Sequence, residues 1–335
     1  MLHSSRATAF AALFAALSTA CAPRVSNPDG ALPDAGADGA TTSAYGYFGV
    51  ELVRIELAQP QVSLVRASLL SAEPAPTFPM RTTMREGECE LRETAIPFCS
   101  PRCGSNAVCV AENTCAPVAT PLPLGTITLT GLRRLDGAMS STLVPEPDGM
   151  LAGIPTQQTI ESDRLTYPPF EQGETVQWSI GASSALPALT MSLPAIDEMR
   201  VLSLDPMSGP NMPLEVRWEA PRSAVADGQR VIVSLDFTHH AGLRGMVYCE
   251  TADDGAMTIP ASVITGLHAL GTAGWPALFV TRSIQRSMTV NGATLRFEHK
   301  SEKEIYVAIS GLISCHEDSE CPDGRRCQPN FTCAR

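Results

Sequence analysis

The chain has 335 residues, 35 of them acidic and 24 basic, for a formal charge of −11. An acidic surplus of that size argues against binding nucleic acid and against docking on anionic lipid headgroups. Eleven cysteines are unusual for a reducing cytosol and indicate an oxidising compartment.

Residues 1–20 read as a signal peptide. Arg6 supplies the positive n-region, and Ala7 to Leu17 is an uncharged apolar run of h-region length. That run is shorter than the roughly 20 residues needed to cross a bilayer. Ser18-Thr19-Ala20-Cys21 follows and resembles the lipobox of bacterial lipoproteins. The resemblance implies Cys21 as the lipid attachment residue and Ala20 as the last residue removed. Ser18 stands where that family prefers Leu, so ordinary cleavage near Ala20, with Cys21 an incidental thiol, is the alternative. Each buried methylene of an anchor contributes about 0.8 kcal/mol, and two or more chains hold firmly. Without Arg6 the balance is 23 basic to 35 acidic, about −12.

Residues 21–44 are mostly Ala, Pro, Gly and Asp. They cannot bury enough surface to offset their ordering entropy, and the expectation is a flexible stalk behind the lipid. Lysine occurs only at Lys300 and Lys303 and alanine is abundant, a usage that resembles GC-rich bacterial genomes.

From residue 45 onward, period-two alternation dominates. Val53, Ile55 and Leu57 form one such set, and Val62 and Leu64 the next. Ile127 and Leu129 follow, then Val176, Trp178 and Ile180, then Leu189, Met191 and Leu193. Leu214, Val216 and Trp218 precede the longest face, Val231, Val233, Leu235 and Phe237. Leu278 and Val280, Leu295 and Phe297, and Ile305, Val307 and Ile309 complete the series. That makes about ten strands, with Pro, Gly, Asp or Asn between most of them. Asp253-Asp254-Gly255 reads as a turn before a strand at Met257–Ile259. One short helix is expected at 260–268, where Pro260 suits the first turn.

Such a pattern predicts an all-β fold, with antiparallel sheets packed as a sandwich. The expected division is an N-terminal β region at 45–193 carrying a cysteine-rich insert at 89–115, a sandwich at 194–313, and a cysteine-rich module at 314–335. LEVRWEAP at 214–221 resembles the strand of fibronectin type III and related immunoglobulin-like domains that carries a core tryptophan, which implies that role for Trp218.

Ten cysteines remain beyond Cys21. Cys315, Cys321, Cys327 and Cys333 lie in CHEDSECPDGRRCQPNFTC, which resembles small extracellular cysteine-rich modules such as the N-terminal module of Dickkopf proteins. That resemblance implies alternate pairing, Cys315–Cys327 and Cys321–Cys333; by sequence alone three connectivities stay open. Cys99, Cys103, Cys109 and Cys115 lie in a run that resembles the core of an EGF-like module. Both segments are too short for an apolar core, so bridges must stabilise them. Cys89 and Cys249 either pair with each other, or Cys249 is a buried thiol. The spacing is mostly five residues and does not suit zinc, so no metal is assigned to the cysteines.

Catalytic motifs are missing from the sequence: there is no H-E-x-x-H, no G-x-S-x-G and no phosphate-binding glycine loop. The one histidine pair, His239-His240, would point to opposite faces of a strand and could share a metal only in a loop. Asp197, Glu198, Asp236, Asp253 and Asp254 are the carboxylates considered for a glycosidase pair. Glu317, Asp318, Glu320 and Asp323 could offer oxygens to calcium but lack EF-hand spacing. No catalytic residue, metal or cofactor is assigned.

The layout as a whole, a near-lipobox, a stalk, a cysteine-rich insert and a strand-rich body, resembles a recurrent type of myxobacterial lipoprotein. That resemblance brings no known activity with it. The expectation is a non-catalytic binding or adhesion module of the cell envelope, lipid-anchored at the outer membrane or cell surface, with a protein or glycan as partner. A polysaccharide hydrolase using two carboxylates and a structural spacer are the alternatives.

Overall fold

Alternating apolar and polar side chains direct most of this chain into strands. The computed structural model describes residues 44–54, 61–76, 78–143, 150–151, 154–155, 158–160, 165–203, 206–222 and 224–334. The signal segment, Cys21, the stalk through residue 43, and Ile55 and Leu57 lie outside the described residues.

The elements in order are β1 (Tyr45–Arg54), β2 (Val62–Leu70), β3 (Met80–Glu86), β4 (Cys89–Thr94), β5 (Ala107–Ala111), β6 (Thr114–Pro117) and β7 (Ile127–Thr130). Next come β8 (Ser140–Leu143), β9 (Met150–Leu151), β10 (Ile154–Pro155), β11 (Gln158–Ile160), β12 (Thr175–Ile180), β13 (Leu189–Pro194) and β14 (Met207–Ser208). The last are β15 (Leu214–Arg217), β16 (Gln229–Asp236), β17 (Gly245–Thr251), β18 (Ala256–Ile259), α1 (Ala261–Ala269), β19 (Ala277–Val290), β20 (Ala293–Tyr306) and β21 (Ala308–Ile309). The helix starts one residue later than the sequence suggests, because Pro260 is extended and serves as its N-cap.

One nine-stranded sheet forms the spine, in the order β11-β2-β1-β20-β19-β16-β17-β4-β3. It is antiparallel except where β1 lies parallel to β20. The four strands from 194–313 lie together in the middle of this sheet with strands from 45–193 on both sides, so the boundary at 193/194 does not separate two independent sheets. Its centre is the hairpin of β19 and β20. Each strand has 14 residues, about 45 Å of extended chain. Asn291 and Gly292 close the hairpin with positive φ at both positions, the geometry of a two-residue turn that matches strand twist.

Two separate cores sit on one face of this sheet. At the turn end of the hairpin, Phe48, Val50, Leu52, Val65, Ala67, Leu69, Leu295 and Phe297 meet the four-stranded sheet β13-β12-β7-β8. Phe48 stacks on Phe297 with centroids 4.8 Å apart, and Trp178 packs edge-on against both rings. At the other end, Val231, Val233, Leu235, Phe237, Val247, Leu278, Val280 and Ile305 meet β15, β18 and α1. There Trp218 is buried, as are Val263, Ile264 and Leu267 of the helix.

The early strands differ from the alternation read in the sequence. The buried face of β1 is Phe48, Val50 and Leu52, and that of β2 is Ser63, Val65, Ala67 and Leu69. Leu64 instead pairs with Glu51 on the outer face. Charge occupies that face: Arg66 and Lys300 both approach Glu51, and Arg296 bonds Glu298. Tyr47 lies 3.2 Å from both carboxylates. Burial, then the two acids, push its phenol above its ordinary range.

Five disulfides are present: Cys89–Cys249, Cys99–Cys109, Cys103–Cys115, Cys315–Cys327 and Cys321–Cys333. Cys89 stands in β4 directly opposite Cys249 of β17. It therefore belongs to the large sheet, and the insert itself is the β5–β6 hairpin held by Cys99–Cys109 and Cys103–Cys115. The C-terminal module is docked: Gly274 N–H donates to Asn330 O, and Ser314 Oγ donates to Gly274 O. Trp275 packs on His316 and Phe331. Among the described residues no helix is long and apolar enough to cross a membrane.

Candidate functional site

The inward register of β19 runs Leu278, Val280, Arg282, Ile284. That of β20 runs Phe297, His299, Ser301, Lys303, Ile305. Both strands thus carry polar side chains inward at the same height, between the two apolar cores. Arg282, His299, Ser301 and Lys303 are all buried, and each polar group among them needs a partner to offset its lost hydration.

Arg282 meets that need with its full fork of donors. Its Nε donates to Asp253 Oδ2 at 2.5 Å and its second terminal nitrogen to Asp253 Oδ1 at 3.0 Å. The same nitrogen reaches Glu219 O at 2.7 Å, and the first terminal nitrogen reaches Glu198 O at 3.0 Å. Asp253 also accepts from Trp218 Nε1 at 2.9 Å and Gln229 Nε2 at 2.7 Å. The pair is 1% and 0% exposed. So dry an ion pair persists only because nearly every donor and lone pair is used.

His299 and Ser301 complete the seam. His299 Nδ1 lies 2.8 Å from Pro194 O. A carbonyl only accepts, so Nδ1 carries the proton, and Nε2 stays buried with no hydrogen-bond partner. Burial holds this imidazole down at about 4. Ser301 Oγ accepts from Met199 N–H at 2.8 Å. The result is mechanical: three seam side chains grip the backbone at 194, 197, 198 and 199, and fix an extended strap across the sheet.

That strap forms one rim of a cleft of about 550 Å³. Ile196, Asp197, Glu198 and Arg200 come from the strap; Thr166, Pro168, Phe170, Glu171 and Gln172 come from the facing loop, with Arg133 and Arg222 at its ends. Arg133 fixes the facing loop by bonding Glu171 at 2.8 Å and Glu174 at 2.7 Å. Tyr167 OH donates to Glu198 Oε1 at 3.2 Å, joining the rims. Arg200 bonds Glu198 on its other oxygen. Arg222 caps Asp197 through its backbone N–H at 3.1 Å, with its guanidinium 3.6 Å away. The lining therefore mixes three arginines with three carboxylates, over a floor that includes Phe170, whose ring is buried in the core against His299.

The structure separates the carboxylates considered in the sequence. Asp197 and Glu198 line the cleft; Asp253 is the buried counter-charge of Arg282; Asp254 is exposed. Asp236 is buried and accepts from Thr238 N–H and Oγ1–H. In the terminal module Asp318 accepts from Cys327 N–H, Glu320 from His316 N–H and Glu317 from Ser319. These acids serve local turns there. His239 and His240 lie in a turn after β16 and their rings come together. Arg282, His299, Arg133 and Phe170 were not singled out by the sequence reading. For the first two a signal existed: a charged or imidazole side chain at an inward position of an otherwise apolar strand. No protein-family model matches the chain, and no curated protein matches it at a significant level, so a functional reading rests on this geometry.

Proposed function

We propose that the chain is an exported bacterial lipoprotein, held in the cell envelope by a lipid on Cys21, whose body is a non-catalytic binding module for a neutral glycan. The observation that carries the reading is the cleft, with its interleaved arginines and carboxylates. Sugar hydroxyls both donate and accept, so a lining of mixed sign satisfies them where a single-sign lining would select an ion. A rim already fixed by Arg282, His299 and Ser301 loses little freedom when a ligand arrives, which favours affinity. Binding is favoured over hydrolysis because Asp197, Glu198 and Glu171 each already engage a donor.

The test is calorimetric titration of the soluble body, residues 45–335, with neutral oligosaccharides prepared from the envelope of the source cells. Saturable binding is expected, weakened about tenfold by Arg222→Ala, the loss of one hydrogen bond to a charged donor. The Arg222 side chain is 76% exposed, so the fold is not at stake. Release of new reducing ends during the titration would assign the protein to the hydrolases instead, and no binding to any neutral glycan would refute the reading.

A further inference from the structure

We propose that His239, His240 and Glu304 form a binding site for a divalent first-row transition-metal ion of the zinc type. Strand β16 ends at Asp236, and Ala241 N–H donates to Thr238 O to close a turn. His240 takes a positive φ of 65°. That left-handed step cancels the strand alternation that would send neighbouring side chains to opposite faces. The two imidazoles lie with centroids 3.9 Å apart. Glu304 reaches them from the outer face of β20, over Phe279, whose ring packs edge-on against His239.

One ligand atom from each of the three residues lies within 4.8 Å of the others. His239 Nε2 and Glu304 Oε1 are 3.3 Å apart. Neighbouring ligand atoms around a tetrahedral ion with bonds of about 2.0–2.1 Å are themselves about 3.3–3.4 Å apart. A second observation points the same way: Glu304 Oε1 is buried and accepts no hydrogen bond, although the imidazole nitrogen is so near. Behind His239, Asp236 Oδ2 stands 3.9 Å from Nδ1 and is itself fixed by Thr238. A carboxylate behind a ligating histidine orients the ring and raises its basicity.

Two imidazoles and one carboxylate suit zinc and its first-row neighbours rather than calcium or magnesium. Three protein ligands leave a fourth position open. The other cysteine-rich candidates are closed to metal, since Cys99, Cys103, Cys115, Cys315, Cys321 and Cys333 are spent in disulfides. An ion here would lock the turn after β16 to β20, beside Trp275, which carries the C-terminal module.

The experiment is titration of the chelator-treated, disulfide-intact protein with Zn2+, with any thiol at Cys21 alkylated beforehand. One equivalent is expected to bind. Co2+ should then give the visible absorption of a tetrahedral site, displaced by Zn2+. His240→Asn keeps a residue that tolerates positive φ, and Glu304→Gln keeps the shape of the side chain. Each should weaken Zn2+ by more than the roughly 10–100-fold typical of supporting residues. Cu2+ should quench Trp275, whose ring is 6.0 Å from His240, and Trp275→Phe should lose the quenching but keep Zn2+ affinity. No saturable uptake by the unaltered protein would mean that His239 is simply ion-paired between two carboxylates. Uptake unchanged in both His240→Asn and Glu304→Gln would place the ion elsewhere. Either result overturns the proposal.

Discussion

The two ends of the β19–β20 hairpin and its middle obey opposite rules. At the turn end, Leu295 and Phe297 join Phe48 and Trp178 in a core of aromatic and aliphatic side chains. At the far end, Leu278, Val280 and Ile305 do the same under β15, β18 and α1. Between them the same strands bury Arg282, His299 and Ser301. The apolar ends contribute stability through area removed from water. Burying the seam's charge costs solvation, which the network only offsets. What the seam gains is direction, since its donors and acceptors fix the strap at 194–199 and hence the cleft.

The largest effect should come from halving the buried pair. Arg282→Met leaves Asp253 buried without its counter-charge, and urea unfolding should show a loss of about 3–5 kcal/mol. Adding Asp253→Leu removes the stranded charge but orphans Trp218 Nε1 and Gln229 Nε2, so stability should recover only in part, and with the strap loosened binding at the cleft should stay impaired. Recovery of both together would erase the distinction drawn between seam and cores.

Next in size is the bridge that closes the far end. Cys89 and Cys249 are 160 residues apart in sequence, and replacing both with Ser should cost about 2–5 kcal/mol by the loop-closure argument. Denaturant midpoints under non-reducing conditions measure it. A negligible loss would mean that β4 is held by its ladder alone.

The seam should also be sensitive to acid. His299 titrates at about 4 in the fold, below its unfolded value of about 6.5. The unfolded chain therefore takes up a proton first. This contribution to stability is complete above about pH 6.5, falls as pH drops, and is lost below about 4; the total is about 3 kcal/mol. Urea midpoints between pH 7 and pH 4 should fall less steeply for His299→Leu than for the unaltered protein. Equal slopes would contradict the assignment. At the small end, Arg133→Ala removes a solvent-facing contact to Glu171 and Glu174 and should leave the urea midpoint unchanged, while weakening ligand binding at the cleft. A marked fall in the midpoint would show that the rim is structural.

The strands were largely legible because a half-buried sheet leaves a period of two in the sequence. Val231 through Phe237 and Val176 through Ile180 follow it closely. It misled at β2, where Leu64 faces outward among Glu51 and Arg66. There both faces carry partners, and apolar content alone does not choose between them. The long-range pairing was not legible. Tyr45 lies opposite Thr294 in a parallel register, and no local periodicity encodes a partner so distant. For the cleft, Asp197 and Glu198 were visible as carboxylates but not as a rim, since their placement depends on Arg282 gripping their carbonyls. The histidine pair was visible, and its closeness follows from the left-handed backbone of His240, which histidine does not announce.

The most direct test of the binding reading is hydrogen exchange of the soluble body with and without neutral envelope oligosaccharide, resolved by peptide mass spectrometry. Slowed exchange is expected at 165–172, 195–201 and 219–222 and nowhere else. Protection on the charged outer face around Glu51 and Glu298, or in the cysteine modules with none at those three segments, would contradict it.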